Sequence, residues 1–243
     1  MTPFLTASWR NLLMLNYEID PAVLAPRVPA CTSLDQWQGH TYVTLVGFQF
    51  LGTRLLGIPV PFHGAFEEVN LRFYVRRAVD ADVRRGVVFI RELVPHRAIA
   101  AVARALYNEP YQTVPMRSDV THDPETAVTY SWQLNGRWHT LAGRRAGGGT
   151  AAEPGRGPGR GPGSHEDFIT EHYWGYTRQR DGGTLEYRVE HPRWRVWAAA
   201  DVQVDADLSA LYGPELARWL ERPASMLLAD GSAVRVGWPR RVT

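Results

Sequence analysis

No lysine occurs in this sequence of 243 residues; all 27 basic side chains are arginine. A coding bias toward arginine is the simplest origin. Whatever the origin, every lysine amine is removed from catalysis, and imine formation on lysine goes with it. Cysteine is almost as scarce. With Cys31 alone there is no internal disulfide and no multi-cysteine zinc site. No base stands near it in "RVPACTS", so it reads as a packed, inert small residue rather than a nucleophile. Long apolar runs are also missing. No stretch reaches the ~20 residues of a membrane span, and "MTPFLTASWRNLLML" has no basic leader ahead of an apolar core. The expectation is a cytoplasmic protein with no membrane partner. The net charge of +2 is too small to call for nucleic acid. There is no G-x-S-x-G, no P-loop, no Rossmann fingerprint and no HExxH, so neither a cofactor nor a metal is expected.

Aromatic residues, by contrast, are plentiful. Nine tryptophans and ten tyrosines suit strands and pocket walls, and 44% hydrophobic residues are enough for a sizeable core. The composition breaks once, at residues 143–164, "GRRAGGGTAAEPGRGPGRGPGS". This segment buries too little to offset its ordering entropy, and reads as a disordered loop inserted between strands. Turn signals predict hairpins at Asn135-Gly136, at Asp181-Gly182-Gly183 and at Asp230-Gly231. "TYVTLVGFQF" and "GVVFIRELV" read as strands buried on much of both faces. Three short helices are predicted. One is capped by Asp20 and ended by Pro26. One is opened by Pro95, with Ile99, Val102, Ala103 and Leu106 as its apolar stripe. One starts at Asp207 and kinks at "YGPE". Strands outnumber helices without alternating with them, which argues against a doubly wound sheet. The predicted fold is a single α+β domain over 1–243, mostly antiparallel and barrel-like or conical.

In "EEVNLRFYV", Val69, Leu71, Phe73 and Val75 form one face and Glu68, Asn70, Arg72 and Tyr74 the other. The polar face meets solvent in an open sheet and lines a cavity in a closed one; pattern does not decide between them. "TEHYWGY" and "VEHPRW" each hold a Glu-His pair, but neighbouring strand residues point to opposite faces, which argues against a metal there. "RALYNEPYQ" concentrates hydrogen-bonding side chains around Pro110. It reads either as a pocket segment or as a proline turn that satisfies helix-end carbonyls.

"WRNLLMLNYEIDPAVLAPRVP", "AFEEVNLRFYV", "ARALYNEPY", "FITEHYWGYTRQRDG" and "EYRVEHPRW" resemble the YqjF-like bacterial family, a domain of unknown function. That family is similar in fold to acetoacetate decarboxylase, a β-rich cone with an interior pocket. The resemblance implies correspondences residue by residue. Arg10 matches an arginine that opens an early strand, and Glu68 a glutamate ending an aromatic-x-Glu element. The decarboxylase places its lysine pair in an Arg-Glu-Leu-x-x-Tyr-Pro-Lys-Lys frame. "RALYNEPYQ" is set on that frame, with Tyr111 and Gln112 at the lysines. A second decarboxylase glutamate has no match, since that region holds Thr44 and Leu45. The fold is then shared while Schiff-base chemistry is lost. The implied site uses Tyr111 as acid and Glu68 as base. Arg10 holds a carboxylate, Asn70, Arg72 and Gln112 contact the ligand, and Arg97, Tyr107 and Asn108 orient these groups. The expected partner is a small molecule, an oxo or hydroxy carboxylic acid, handled by lyase, isomerase or hydratase chemistry. The alternatives are a non-catalytic binding protein and an oligomeric scaffold. Self-association is implied by the resemblance.

Overall fold

The computed structural model describes residues 2–122, 125–147 and 163–242. The first half supplies long strands: β1 (Leu5–Ile19), β2 (Ser33–Leu34), β3 (Thr41–Leu55), β4 (Ile58–Pro59), β5 (Ala65–Val79) and β6 (Asp82–Val94), with helix α1 (Pro21–Leu24) after β1. Helix α2 (Arg97–Tyr107) then leads to β7 (Tyr111–Thr113), β8 (Met116–Thr121), β9 (Ala127–Leu134) and β10 (Arg137–Arg145). The last part holds α3 (His165–Thr170), β11 (Trp174–Arg178), β12 (Thr184–Glu190), β13 (Val196–Asp205), α4 (Leu208–Tyr212), α5 (Pro214–Ala217), β14 (Ser225–Val236) and β15 (Arg240–Val242).

The strands run in the order β15-β12-β11-β6-β5-β3-β1-β14-β13-β10-β9-β8. Pairing is antiparallel except where β6 meets β11 and β7. Two residue pairs, Val189–Val236 and Glu190–Arg235, join β12 to β14. The hydrogen-bonded path β12-β11-β6-β5-β3-β1-β14 therefore returns to its start. The architecture is a mostly antiparallel sheet with a few short helices.

This closure decides which way β5 faces. Val69, Leu71, Phe73 and Val75 pack outward into a core with Tyr130, Trp132 and Leu141 of β9 and β10, Leu24 of α1, and Leu211 and Leu216 of α4 and α5. Glu68, Asn70, Arg72 and Tyr74 point the other way and are buried as well. A strand covered on both faces explains why apolar pattern alone left its inner side undecided.

Several expectations hold and several need correction. The hairpins at Asn135-Gly136 and Asp181–Gly183 form. The one expected at Asp230-Gly231 does not, because β14 runs straight through it. Gly231 has φ 75° and sits opposite Arg10, where a Cβ would fall 2.0 Å from the Trp9 carbonyl oxygen. The glycine marks close backbone approach inside a strand rather than a reversal. Asp20 does cap α1 through Ala22 N–H, but the chain passes Pro26 in a further 3-10 turn. Asp207 caps α4, and Gly213 at φ 85° parts it from α5. Leu106 is exposed, so the inner side of α2 is made instead by Ala100 and Tyr107 with Ile99, Val102 and Ala103. Helix α3, capped by Ser164 through Asp167 N–H, went unread beside the glycine-proline segment. That segment is also narrower than expected. Gly143 to Arg145 belong to β10, where Arg144 pairs with Asp201 at 2.5 Å, and Gly163 accepts from Trp37 Nε1. The reading of disorder for 148–162 lies outside the described residues. Cys31 is exposed at φ 64° rather than packed. Among the described residues no helix is long and apolar enough to cross a membrane.

Candidate functional site

Three neighbouring strands carry the polar floor of one cavity of about 170 Å³. On β5, alternation places Glu68, Asn70 and Arg72 on the inner face. On β6, Glu92 sits opposite Asn70, and on β7, Tyr111 sits opposite Glu92. Asn70 donates to Glu68 Oε1 at 2.8 Å, and the Tyr111 hydroxyl donates to Glu68 Oε2 at 3.2 Å. Glu109, just ahead of β7, accepts from Thr177 at 2.5 Å and from the Tyr187 hydroxyl at 2.7 Å. Tyr187 can lie across β11 because its neighbour is Gly175, where a Cβ would meet the phenol ring at 2.0 Å. The walls are apolar, with Trp9, Phe48, Phe50 and Phe66 on one side and Ile99 and Val102 of α2 on another.

Three carboxyls and one guanidinium share this space. Desolvation by burial raises Glu68 to about 7, although hydrogen bonds from Asn70 and Tyr111 and the charge of Arg72 hold it down. Desolvation also lifts Glu109 to about 7 against its bonds from Thr177 and Tyr187. Glu92 is pushed well above the carboxylate range, first by burial and then by the charges of Glu109 and Glu68. Glu92 is therefore the most readily protonated of the three, while Glu68 and Glu109 titrate near neutral pH. Burial and the nearby carboxylates keep the Tyr111 phenol un-ionised. Among the described residues, several polar atoms are left without partners: Arg72 Nε, Asn70 Oδ1, Glu92 Oε2, Glu109 Oε2 and His172 Nδ1. Buried unpaired groups of this kind are costly, and all five belong to residues that line the cavity.

Of the residues named from the sequence, Glu68, Asn70, Arg72, Tyr107 and Tyr111 line the cavity and four do not. Arg10 follows Trp9 on β1; since Trp9 faces the cavity, Arg10 faces away and bonds the Gly231 carbonyl at 3.2 Å. Gln112 follows Tyr111 in the same way and accepts from Arg91 at 2.7 Å. Arg97 is exposed at the start of α2. Asn108 adopts φ 58° as the helix C-cap and donates to the Arg178 carbonyl at 2.9 Å. In "YNEPYQ" the pocket and turn readings are thus both realised, by alternate residues. Thr44 bonds Asn16 and Tyr74, and Leu45 sits in the core, so neither reaches the site.

The sequence matches the model of the family DUF2071, described as an uncharacterized conserved protein, over residues 6–233. The chain belongs to the DUF2071 family. Uncharacterized protein YqjF of Bacillus subtilis is 28% identical over 117 residues. That match covers 48% of this DUF2071 chain and 47% of YqjF, so it spans about half the length of the curated relative. The acetoacetate decarboxylase of Legionella pneumophila has a similar fold, with a TM-score of 0.67 at 12% identity, covering 99% of this chain and 87% of that one. The enduracididine biosynthesis enzyme MppR, complexed with pyruvate, superposes with a TM-score of 0.62 at 11% identity, over 100% and 92%.

Sequence reasoning missed Glu92, Glu109, Tyr187 and His172 in this DUF2071 protein. Glu92 had a signal: a lone carboxylate in "GVVFIRELV", a strand read as buried on both faces, must be a buried carboxylate. Moreover, the Arg-Glu-Leu opening of the decarboxylase frame occurs literally at Arg91-Glu92-Leu93. Set there, the frame puts Ala98 and Ile99 at the lysine pair, and both line the cavity. Neither setting supplies an amine.

Proposed function

We propose that this DUF2071 protein binds a small oxo or hydroxy carboxylic acid and moves a proton on it without a Schiff base. Arg72 carries the reading. The residue is 8% exposed, lines the cavity, and has no partner for Nε among the described residues. A ligand carboxylate supplies the paired acceptors that such a group lacks. Glu68, two positions from Asn70 on the same face, is a base poised near neutral pH for a carbon-bound proton beside a carbonyl. As Glu68 takes that proton it no longer needs the hydrogen of Tyr111. The phenol then turns to the oxygen on which charge develops, joined by protonated Glu92. Return of the proton to another atom gives an isomerase; loss of a neighbouring group gives a lyase or dehydratase. Asn70 orients Glu68, and Tyr107 fixes the end of α2 through the Gly237 carbonyl.

Three things support the assignment besides Arg72. The strand ring, read as a barrel-like cone, keeps bulk water from the carboxyls. The cavity is close to the size that admits a benzene ring, which suits an acid of a few carbons. MppR, a protein of similar fold, takes pyruvate.

Calorimetric titration with pyruvate, acetoacetate and lactate, followed by proton NMR of C–H exchange in D₂O, tests this. Arg72→Ala should weaken acid binding about ten- to a hundredfold and leave pyruvamide unaffected. Glu68→Gln should retain binding and abolish exchange. Binding without exchange in the native protein would mean a non-catalytic binder. Failure of every acid to bind would sink the proposal.

A further inference from the structure

Beside Arg72 a second polar cluster reaches the same cavity. His172 follows α3 and lines the cavity while 6% exposed. Its Nε2 faces Asp35 Oδ2 at 3.3 Å. The same oxygen accepts from Arg85 Nε at 2.6 Å, and Asp35 Oδ1 accepts from Gln36 N–H at 3.1 Å. Tyr74 and Phe168 hold the imidazole ring between them, with centroids at 4.6 and 5.4 Å. Arg72 lies close enough for its charge to act on the ring.

This arrangement fixes the tautomer. Burial raises Asp35, but bonds from His172 and Arg85 more than reverse that and bring it to about 2. Ionised, it only accepts, so His172 Nε2 carries the hydrogen. Burial lowers His172 to about 4, with the Asp35 bond opposing only in part, and the ring is neutral at pH 7. The ionic partner of Asp35 is therefore Arg85. Nδ1, the ring nitrogen not facing Asp35, is a bare lone pair with no partner among the described residues.

An unpaired acceptor thus stands in the same cavity as the unpaired Nε–H of Arg72. A carboxylate satisfies the arginine. The acceptor needs a hydrogen, which a keto oxygen does not have. We infer that His172 contacts the ligand and accepts a hydrogen bond from a hydroxyl on the carbon next to its carboxylate, so that the cavity selects 2-hydroxy acids over the matching 2-oxo acids. The inference rests on the carboxylate reading of Arg72 and narrows it. Within that reading Asp35 is a positioning residue: it holds the ring and its tautomer and does not touch the ligand.

The test compares both enantiomers of lactate with pyruvate, by calorimetry on the full chain. At least one lactate should bind about ten- to a hundredfold more tightly than pyruvate, the worth of one buried hydrogen bond against an unpaired acceptor. His172→Phe should erase the preference by weakening lactate, with pyruvate unchanged. Arg72→Ala should weaken both acids alike. Equal affinities in the native protein, with Arg72→Ala still weakening both, would overturn the role of His172 and leave the carboxylate reading standing. No binding of either acid would overturn both. Imidazole nitrogen NMR of the native protein gives a second readout that needs no variant. His172 Nδ1 should show as unprotonated, and should shift on adding the preferred lactate but not pyruvate. An unprotonated Nε2, or an Nδ1 indifferent to lactate, would count against the inference.

Discussion

At the scale of single residues, Tyr111 links the site's charge to its geometry. Its hydroxyl is one of two donors holding the Glu68 carboxylate, and that bond lowers a pKa that burial has raised. Tyr111→Phe should lift Glu68 further. A carboxyl with a raised folded pKa contributes most at low pH and loses stability as pH climbs through that value. The variant should therefore cost more at pH 8 than at pH 5: about 2 kcal/mol against about 1, the usual difference between a hydrogen bond to an ion and one to a neutral group. Urea unfolding at the two pH values measures this; equal costs would mean that the phenol does not hold the ionised form. A related expectation concerns trapping. Pyruvate or acetoacetate with borohydride should leave no adduct on any side chain, as intact mass will show, because the sequence has no lysine to form an imine. Legibility at this scale followed chemistry rather than position. Glu68, Asn70 and Arg72 stood out as an alternating polar face. Arg10 was misplaced because a single residue of strand phase separates the wall from its outside. Glu109 and Tyr187 find each other only through the pairing of distant strands.

Among the elements, β14 was the one most misread, and Gly231 is the reason. Asp-Gly between apolar segments is the usual signature of a tight hairpin, and nothing local distinguishes it from a glycine needed for close approach inside a strand. What distinguishes it is Trp9, two hundred residues away. Gly231→Ala would place a methyl group at φ 75° against the Trp9 carbonyl. The backbone conformation alone costs about 1–3 kcal/mol, and the clash adds to it. The melting temperature should fall by at least about 4 °C. Because Trp9 is also a cavity wall, the acid binding we propose should weaken in the same variant. A melting curve like that of the native protein would mean that the two strands separate easily at this point. The long strands β3, β5 and β6 were legible from their apolar runs. Helix α3 was not, since its cap and first turn adjoin a segment whose composition hid them.

For the whole molecule the balance of buried protons matters. Glu68, Glu92 and Glu109 are raised, while His96, His165, His172 and His191 are lowered. Raised carboxyls lose stability as pH rises above about 4.5. Lowered histidines lose it as pH falls below about 6.5. Between those values the two sets oppose each other, and stability should be nearly level. Above pH 7 only the carboxyls remain. Glu68 and Glu109, raised to about 7, finish ionising just above that pH, and Glu92, raised further, goes on opposing the loss of its proton, so the melting temperature should fall between pH 7 and pH 9. Glu92→Gln removes the group raised furthest, and should melt higher than the native protein at pH 9. Scanning calorimetry from pH 5 to pH 9 checks both statements.

The pairing of β1 with β14 also carries a consequence in time. Leu5 lies against Val236, and the two short contacts of β12 with β14 close the ring. During synthesis Glu68, Glu92 and Glu109 leave the ribosome long before the strand that completes their enclosure. Until β14 arrives, β1 has an open edge, and three carboxyls that burial would raise stand in water as ordinary anions. Loops this long are slow to close. The protons that the finished cavity holds are therefore taken up late, in the same step that shuts the ring.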